Sequence, residues 1–360
     1  MNRRAARLTA TSLVVALASV ACGGSGRDDA AGGAKDPSPS TSAAVASSTT
    51  ASTAPNGVTP ATAPPGCTDV APLGRYAVGR QQITLVDPTR PTAADPGRNL
   101  AAATSRTLPV SVLYPASGDA GPAGTFTDDA AARAGRFPVV IYSHGADSTG
   151  TERNDTLAAW ARAGYVVVAP TYPLSSHPGG QITDVANQPA DVMFVDAQLT
   201  DPTSPLAPLA AHMEPDCLAF AGHSLGAITT IAATYDPCCR PKGQKAAVAI
   251  AGGLFAPTPE LDWATVPKVP LLLVHGEKDA RVPFAKSLEM RSTLPGDEWL
   301  LRFPEGQHST MFDAPLNEVL VPVVVAFLNA ELRGEPAGLD SVPASLAGRA
   351  DAVFEPPGPH

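Results

Sequence analysis

The chain has 360 residues, of which 44% are hydrophobic and 16% are charged, and its formal net charge is −9. This apolar content is enough for one large domain with a sizeable core. The acidic balance excludes the clustered Lys and Arg side chains that neutralise phosphates, so nucleic acid is not expected among the partners.

The N-terminus has the pattern of an export signal. Arg3, Arg4 and Arg7 precede an apolar stretch over residues 8–20 that contains no acidic residue and no lysine. The stretch is too short to cross a bilayer, and the basic residues before it are typical of a secretory signal. Residues 1–21 are therefore predicted to be a signal peptide.

The junction between Ala21 and Cys22, followed by Gly-Gly-Ser-Gly, resembles a bacterial lipoprotein processing site. In such a site the cysteine becomes the lipid-modified first residue. The resemblance therefore implies that Cys22 anchors an exported protein to the cell membrane, facing outward. Ser19 departs from the pattern, which usually has a larger aliphatic residue there, and soluble secretion is the alternative.

Residues 22–66 are predicted to be a disordered tether. After Cys22 they are almost wholly Ala, Gly, Ser, Thr, Pro and Asp, with no aromatic residue. Such a segment cannot bury enough apolar surface to fold. As a flexible coil it reaches roughly 35 Å, enough to hold a domain clear of a membrane.

Residues 67–333 are predicted to form one α/β domain, because short β-branched runs alternate with helical stretches. A mostly parallel sheet of about eight strands with helices on both faces is expected, with strands over residues 82–86, 108–114, 138–142, 165–169, 217–222, 246–251, 270–275 and 299–303. Helices are expected over residues 151–163, from Pro189 onward, and over residues 224–234, 284–291 and 317–332.

Two further segments are predicted from their composition. The stretch after Ala251 is short and Pro-rich, which leaves little room for a lid domain, so the site should be open. Residues 334–360 are rich in Pro and Gly and are predicted to be a partly disordered tail.

Four cysteines follow Cys22, and in an exported chain an even number favours disulfides over metal or redox chemistry. They are Cys67, Cys217, Cys238 and Cys239. Joining the two neighbours to each other would need a strained tight ring. We therefore expect one of them to pair with Cys217 and the other with Cys67. Free buried thiols are the alternative.

The strongest local motif is Gly222-His223-Ser224-Leu225-Gly226, a G-x-S-x-G pentapeptide between a predicted strand and a predicted helix. A sharp strand-to-helix turn exposes the serine hydroxyl at the carboxyl edge of a sheet, and its glycines let neighbouring chain pass closely. The helix N-terminus offers free N–H groups and a positive dipole end. The motif predicts Ser224 as a nucleophile, whereas without its flanks it could be a coincidental Gly-rich turn.

A serine hydroxyl needs a histidine to take its proton and an acid to orient that histidine. The histidines after the serine are His275, His308 and His360. His360 is the end of the chain and His275 precedes the acid on a strand terminus, which leaves His308 as the base. The acid is expected at the end of the preceding strand, where Asp279 is preferred and Glu277 is second.

Two backbone N–H groups, those of Ala146 and Leu225, are expected to bind the oxyanion. Ala146 follows a His144–Gly145 pair at the end of a predicted strand, where the glycine allows the chain to turn. His144 is interpreted as a structural histidine that bonds this loop, in preference to a proton-transfer group.

Residues that follow strand ends are candidates to line the substrate site. They are Gly145, Ala146, Asp147, Tyr172, Leu254, Phe255, Val282 and Met311. His177, His212 and His223 are expected to be surface or supporting residues. No metal-ligand spacing, phosphate loop or dinucleotide fingerprint occurs, so no metal and no cofactor is expected.

Over roughly residues 75–330 the chain resembles the α/β-hydrolase superfamily, and within it bacterial dienelactone-hydrolase-like and platelet-activating-factor acetylhydrolase-like serine esterases. The similar stretches are residues 110–116, 143–145, 164–170 and 188–192, together with the Gly-His-Ser-Leu-Gly turn. The resemblance implies ester hydrolysis through an acyl-enzyme, with Ser224 as nucleophile, His308 as base and then acid, and Asp279 as orienting group. Dienelactone hydrolases themselves use a cysteine nucleophile, so their substrate is not implied.

Three functions stay open at this point. The leading hypothesis is a monomeric extracytoplasmic carboxylesterase or lipase acting on a small-molecule or lipid acyl ester. Acyl transfer to an envelope acceptor would use the same acyl-enzyme, with an alcohol in place of water. A non-catalytic binding lipoprotein with this fold is the third, and the set Ser224, Asp279 and His308 argues against it.

Overall fold

The computed structural model describes residues 67, 69–235, 240–255 and 261–358. The predicted signal peptide, the lipid anchor Cys22 and the tether lie outside these residues and stay predictions. Within the described ranges, no helix is long and apolar enough to cross a membrane. The same ranges contain no group of three or more His, Cys, Asp or Glu side chains that could hold a metal ion.

Ten strands form one mixed sheet in the described part of the chain. They are β1 (Ala77–Asp87), β2 (Arg106–Ala116), β3 (Thr127–Asp128), β4 (Phe137–Ser143), β5 (Val166–Pro170), β6 (Met213–His223), β7 (Gln244–Ile250), β8 (Leu271–Gly276), β9 (Glu298–Phe303) and β10 (Val353–Glu355). Their order across the sheet is β10-β9-β8-β7-β6-β4-β5-β2-β1-β3. The six strands from β4 to β9 pair in parallel, whereas β2 is antiparallel to both β1 and β5.

The direction of strand addition reverses at β4. The chain passes from β4 to β5 on one side of it and then to β6 on the other side. In open α/β sheets, ligands bind at the carboxyl ends of the strands beside such a reversal. The loops that follow β4 and β6 are neighbours at this edge, and the Ser224 motif is one of them.

The described α-helices cover both faces of the sheet. They are α1 (Asn154–Arg162), α2 (Gln188–Gln198), α3 (Ala207–Ala210), α4 (Leu225–Tyr235), α5 (Ala285–Thr293), α6 (Asn317–Arg333), α7 (Ala337–Asp340) and α8 (Val342–Ser345). In β4, Val140 and Tyr142 pack with α1 and α6, whereas Val139 and Ile141 pack with α2 on the opposite face. All of β4 is buried, which explains why its sequence is a continuous apolar run and does not alternate.

All eight predicted strands and all five predicted helices are present, and most of the strands are longer than predicted. The predictions missed the short elements β3, β10, α3, α7 and α8, which have two to four residues each. Elements of this length are too short to produce a periodic pattern. The described residues between β7 and β8 contain no helix and no strand.

The C-terminal segment differs from the partly disordered tail that its composition predicted. Residues 337–355 contain α7, α8 and β10, and β10 pairs antiparallel with β9. Glu355 in this strand accepts hydrogen bonds from Arg291 and Arg302. The segment is ordered because it completes the sheet edge and joins an ion-pair cluster there, and neither contact has a local sequence signal.

A disulfide joins Cys67 to Cys217, with 5.4 Å between their Cα atoms. The expected connectivity, in which each of these pairs with Cys238 or Cys239, is therefore wrong. Cys217 is buried in β6, and the start of the domain returns to it, so that Cys67 is buried as well. The two residues are 150 positions apart, a separation that no local pattern reveals. Cys238 and Cys239 lie outside the described residues.

Candidate active site

Ser224 lies at the turn between β6 and α4. Its φ is 56°, in the left-handed region that a non-glycine residue rarely adopts, and its N–H donates to the carbonyl oxygen of Ile250. A Cβ on Gly222 would lie 2.2 Å from the carbonyl oxygen of Gly226, and a Cβ on Gly226 would lie 2.0 Å from that of Ser143. The backbone contacts around the turn therefore require both glycines, as the motif predicted.

His308 connects Ser224 to Asp279 through two hydrogen bonds. Its Nε2 lies 2.8 Å from Ser224 Oγ, and its Nδ1 lies 2.7 Å from Asp279 Oδ2. Because the carboxylate only accepts hydrogen bonds, the proton of the neutral imidazole is on Nδ1, and Nε2 is free to accept the serine proton. The three residues follow β6, β8 and β9, so the parallel sheet brings them to one edge.

The carboxylate of Asp279 is surrounded by donors. Oδ1 accepts the backbone N–H groups of Arg281 and Val282 at 2.8 and 3.0 Å, and Oδ2 lies 3.3 Å from Nε2 of His275 as well as beside His308. Burial alone would raise the pKa of this carboxyl, but hydrogen bonds from the two imidazoles and a backbone N–H outweigh burial and hold the pKa well below its ordinary range. The group is therefore ionised at neutral pH.

Glu277, the second candidate acid, points to another partner. Its carboxylate forms an ion pair with Arg302, which also binds Glu355. These hydrogen bonds raise the pKa of the Arg302 guanidinium. Among the described residues Glu277 has no hydrogen bond to His308, so the geometry selects Asp279 as the carboxylate beside the imidazole.

His144 fixes the turn that follows β4. Its Nε2 accepts the backbone N–H of Tyr172 at 2.9 Å, so the proton is on Nδ1, which donates to the carbonyl oxygen of Gly145 at 2.7 Å. Burial lowers the pKa of His144 to about 4, so the ring is neutral at neutral pH. This is the loop-bonding role that the sequence predicted. Because the peptide is trans, the N–H of Ala146 points away from the carbonyl that His144 holds.

The two predicted oxyanion donors flank the serine. A Cβ on Gly145 would lie 3.2 Å from Ser224 Cβ, so the turn after β4 passes close to Ser224. The N–H of Leu225 is the first of α4 and has no partner within its own helix. Neither this N–H nor that of Ala146 donates to any described residue, so both are available to a bound oxygen.

His223, predicted to be a surface or supporting residue, contacts His308. Its Nε2 donates to the carbonyl oxygen of His308 at 2.9 Å, and the two ring centroids are 4.9 Å apart. Its ring also packs edge-on against Phe312. Burial lowers the pKa of His223 to about 3, so the ring is neutral. The residue holds the loop of His308, and its position next to Ser224 was the one available signal.

The loop after β5, residues 171–187, is tied to the turn after β4. Asp147 Oδ1 accepts the backbone N–H groups of Gly179 and Gly180 at 2.7 and 3.3 Å and lies 3.3 Å from Nδ1 of His177. Desolvation would raise the pKa of Asp147, but these partners outweigh it and lower the pKa. The carboxylate is thus engaged in holding a neighbouring loop.

A buried polar cluster lies under the same loop. The Arg106 guanidinium, 1% exposed, forms ion pairs with Asp191 and Asp184 at 2.6 and 3.0 Å. Gln188 donates to Ser175 at 2.7 Å from the start of α2. Asp191 and Gln188 belong to one of the stretches that carry the family resemblance, and here they fix the loop that is tied to the turn after β4.

The predicted wall residues fall into two groups. Those with half-buried or exposed side chains at this edge of the sheet are Ala146, Asp147, Leu254, Phe255 and Val282, while the backbone of Gly145 passes close to Ser224. Tyr172 and Met311 have 0% exposure, so their prediction as wall residues is wrong. Met311 packs in the core on the α1 and α6 face of the sheet, and Tyr172 packs in the core on the α2 face. The Tyr172 hydroxyl is hydrogen-bonded to Ser143 Oγ.

No protein-family model matches the chain, and no curated protein matches it. Among solved structures it is similar to a ferulic acid esterase from Streptomyces cinnamoneus, with a TM-score of 0.61 and 21% identity over 80% of this chain and 99% of that chain. This likeness shows the fold, a mixed ten-stranded sheet with helices on both faces. The predicted α/β-hydrolase fold is confirmed.

Proposed function

We propose that the chain is an exported serine hydrolase that cleaves carboxylic esters through an acyl-enzyme on Ser224. The observation that supports this most directly is the hydrogen-bonded chain from Ser224 Oγ through His308 to Asp279, at the reversal point of the sheet. Beside it lie two backbone N–H groups without partners in the described chain.

In the first half of the proposed reaction, Ser224 Oγ attacks the ester carbonyl carbon while its proton moves to Nε2 of His308. Asp279 stabilises the imidazolium through Nδ1. The N–H groups of Ala146 and Leu225 bind the oxyanion, where negative charge develops. The carbon–oxygen bond to the alcohol then breaks, and the alcohol leaves with the proton from Nε2.

In the second half, water attacks the acyl carbon and gives its proton to Nε2 of His308. The bond to Ser224 Oγ breaks, Oγ recovers the proton and the carboxylic acid is released. His144 takes no part in either step, because it holds the Gly145–Ala146 peptide through the Gly145 carbonyl while its own ring stays neutral and takes no proton.

Two features support a carboxylic ester as substrate. A solved structure of similar fold is a ferulic acid esterase. The described residues between β7 and β8 contain no helix and no strand, which suits an acyl ester that enters from the side of the sheet edge.

Labelling with a fluorophosphonate, followed by mass spectrometry, tests the nucleophile. We expect the folded protein to be labelled on Ser224, and to hydrolyse p-nitrophenyl butyrate and methyl ferulate. Ser224→Ala should lower turnover on the order of 10⁴-fold or more, with a residual rate from the oxyanion donors. A folded wild type that takes no label and turns over neither ester would refute the proposal. Adding glycerol separates hydrolysis from transfer, because a transferase would form the glyceryl ester.

Export and anchoring at Cys22 are part of the same proposal. The disulfide between Cys67 and Cys217 supports an oxidising compartment, since such bonds persist mainly outside the cytosol. Expression in a bacterial host with labelled palmitate tests the anchor. We expect label in the membrane fraction of the wild type and none in Cys22→Ser, whereas an unlabelled wild type in the medium would favour soluble secretion.

A further inference from the structure

We propose that His275 is a positioning residue that holds the Asp279 carboxylate in the orientation that His308 requires, an inference that rests on the proposed function. His275 lies in β8 and is completely buried. Its Nε2 lies 2.9 Å from the carbonyl oxygen of Val282 and 3.3 Å from Asp279 Oδ2. One ring nitrogen therefore faces both the carboxylate and the turn that carries it.

The surroundings of the ring determine where its proton lies. Nε2 faces two acceptors, so it must carry a hydrogen and act as a donor. Nδ1 lies 2.7 Å from the hydroxyl of Ser287, which is also buried and can donate to an unprotonated Nδ1. The ring of Phe284 packs edge-on against the imidazole, with centroids 5.8 Å apart, and restricts its rotation.

These contacts give each oxygen of Asp279 its own set of donors. Oδ1 is held by two backbone N–H groups of the turn, and Oδ2 by His308 and His275. Without the second imidazole, Oδ2 would be held by the base alone, and the Val282 carbonyl would lose its buried donor. Hydrogen bonding from His275 also contributes to the lowered pKa of Asp279.

His275 affects the proposed catalysis through the position of the Asp279 carboxylate. Among the described residues no hydrogen bond joins His308 to His275, so the effect of His275 on His308 passes through Asp279 and the turn at Val282. A displacement of about 1 Å in a catalytic group can cost about 100-fold in rate. Loss of the donor should therefore lower kcat about 10- to 100-fold and leave KM within about twofold, because His275 is buried away from the substrate.

The test compares His275→Leu, which removes the donor, with His275→Gln, whose amide nitrogen reaches the place of Nε2. Kinetics with p-nitrophenyl butyrate, thermal melts and the low-field proton NMR signal of the His308–Asp279 hydrogen bond are measured on the full chain. We expect the leucine variant to lose kcat and the NMR signal, and the glutamine variant to recover both to within about threefold. Equal kcat in the leucine variant and the wild type, or a folded glutamine variant as slow as the leucine variant, would overturn the inference.

Two provisions keep this result interpretable. If His275→Leu does not fold, His275→Asn replaces it, because the shorter amide reaches Ser287 but not Asp279, and the same loss is expected. The NMR signal does not depend on turnover. A wild type that shows the signal but hydrolyses no ester would refute the proposed function alone, whereas a signal that persists without His275 would refute the positioning role alone.

Discussion

Replacing Asp279 by Asn tests the proposed site at the group that the sequence left undecided. The change keeps size and shape but turns one carboxylate oxygen into an amide nitrogen. Oδ1 accepts two backbone N–H groups, at 2.8 and 3.0 Å, so the amide oxygen must occupy that place. The amide NH₂ then takes the place of Oδ2 and faces Nδ1 of His308. In the wild type, Oδ2 lies 2.7 Å from that nitrogen.

This arrangement forces the wrong tautomer of the base. With a donor opposite Nδ1, the imidazole must accept there and carry its proton on Nε2, which then points at Ser224 and cannot take the serine proton. The substitution also removes the charge that stabilises the imidazolium. A loss of about 10⁴-fold in kcat is expected, equivalent to about 5 kcal/mol of transition-state stabilisation.

The assay is steady-state hydrolysis of p-nitrophenyl butyrate, with Glu277→Gln as the matched control. Glu277 stands two residues from Asp279 and pairs with Arg302 at the surface, so its variant should keep kcat within about threefold. Thermal melts exclude unfolding as the cause of either result. Activity of Asp279→Asn within tenfold of the wild type, or an equal loss in Glu277→Gln, would refute the role proposed for Asp279.

Three further results are expected. Replacing both Cys67 and Cys217 by Ser releases a loop with 150 residues of separation and should lower the free energy of unfolding by about 5 kcal/mol in urea titrations, and a loss below about 1 kcal/mol would contradict this. Burial holds the pKa of His144 near 4 against 6.5 in the unfolded chain, so the unfolded state binds more protons between these values and stability falls as the pH drops through that window. His144→Gln should remove about 3 kcal/mol of this pH dependence. Measurements of the free energy of unfolding at several pH values test this, and a pH dependence in the variant equal to that of the wild type would contradict it. Gly145→Ala places a Cβ 3.2 Å from Ser224 Cβ and should lower kcat about tenfold with little change in Tm, whereas an unaltered kcat would show that the turn yields freely.

The sequence predicted those parts of the fold and site that leave a local pattern. β4 and β8 are buried on both faces and read as continuous apolar runs. The Ser224 turn is recognisable because close backbone contacts allow only glycine on either side. Strand order along the chain also placed His308 and Asp279 at the same edge of the sheet as Ser224, where the two hydrogen bonds of His308 join them.

The missed features depend on contacts between distant parts of the chain. Nothing near Cys67 indicates that it meets Cys217, and β10 is ordered by an ion-pair cluster that forms only in the folded domain. Met311 follows a strand end but points inward, which a position in sequence does not reveal. The contact of His275 with the acid depends on how the turn after β8 folds back, and a strand-end histidine alone does not predict it.

The disulfide also determines how the domain would bear a mechanical load. Cys67 stands at the N-terminal end of the described domain and is bonded covalently to Cys217 in β6. Tension applied through the preceding residues would therefore enter the sheet at its interior, and residues 69–76 and strand β1 would lie outside the line of force. β6 is the strand that ends at Ser224, and it has parallel neighbours on both sides. If the chain is tethered at its N-terminus as proposed, drag on the domain would be borne by the strand that precedes Ser224, in shear against its hydrogen bonds to both neighbouring strands.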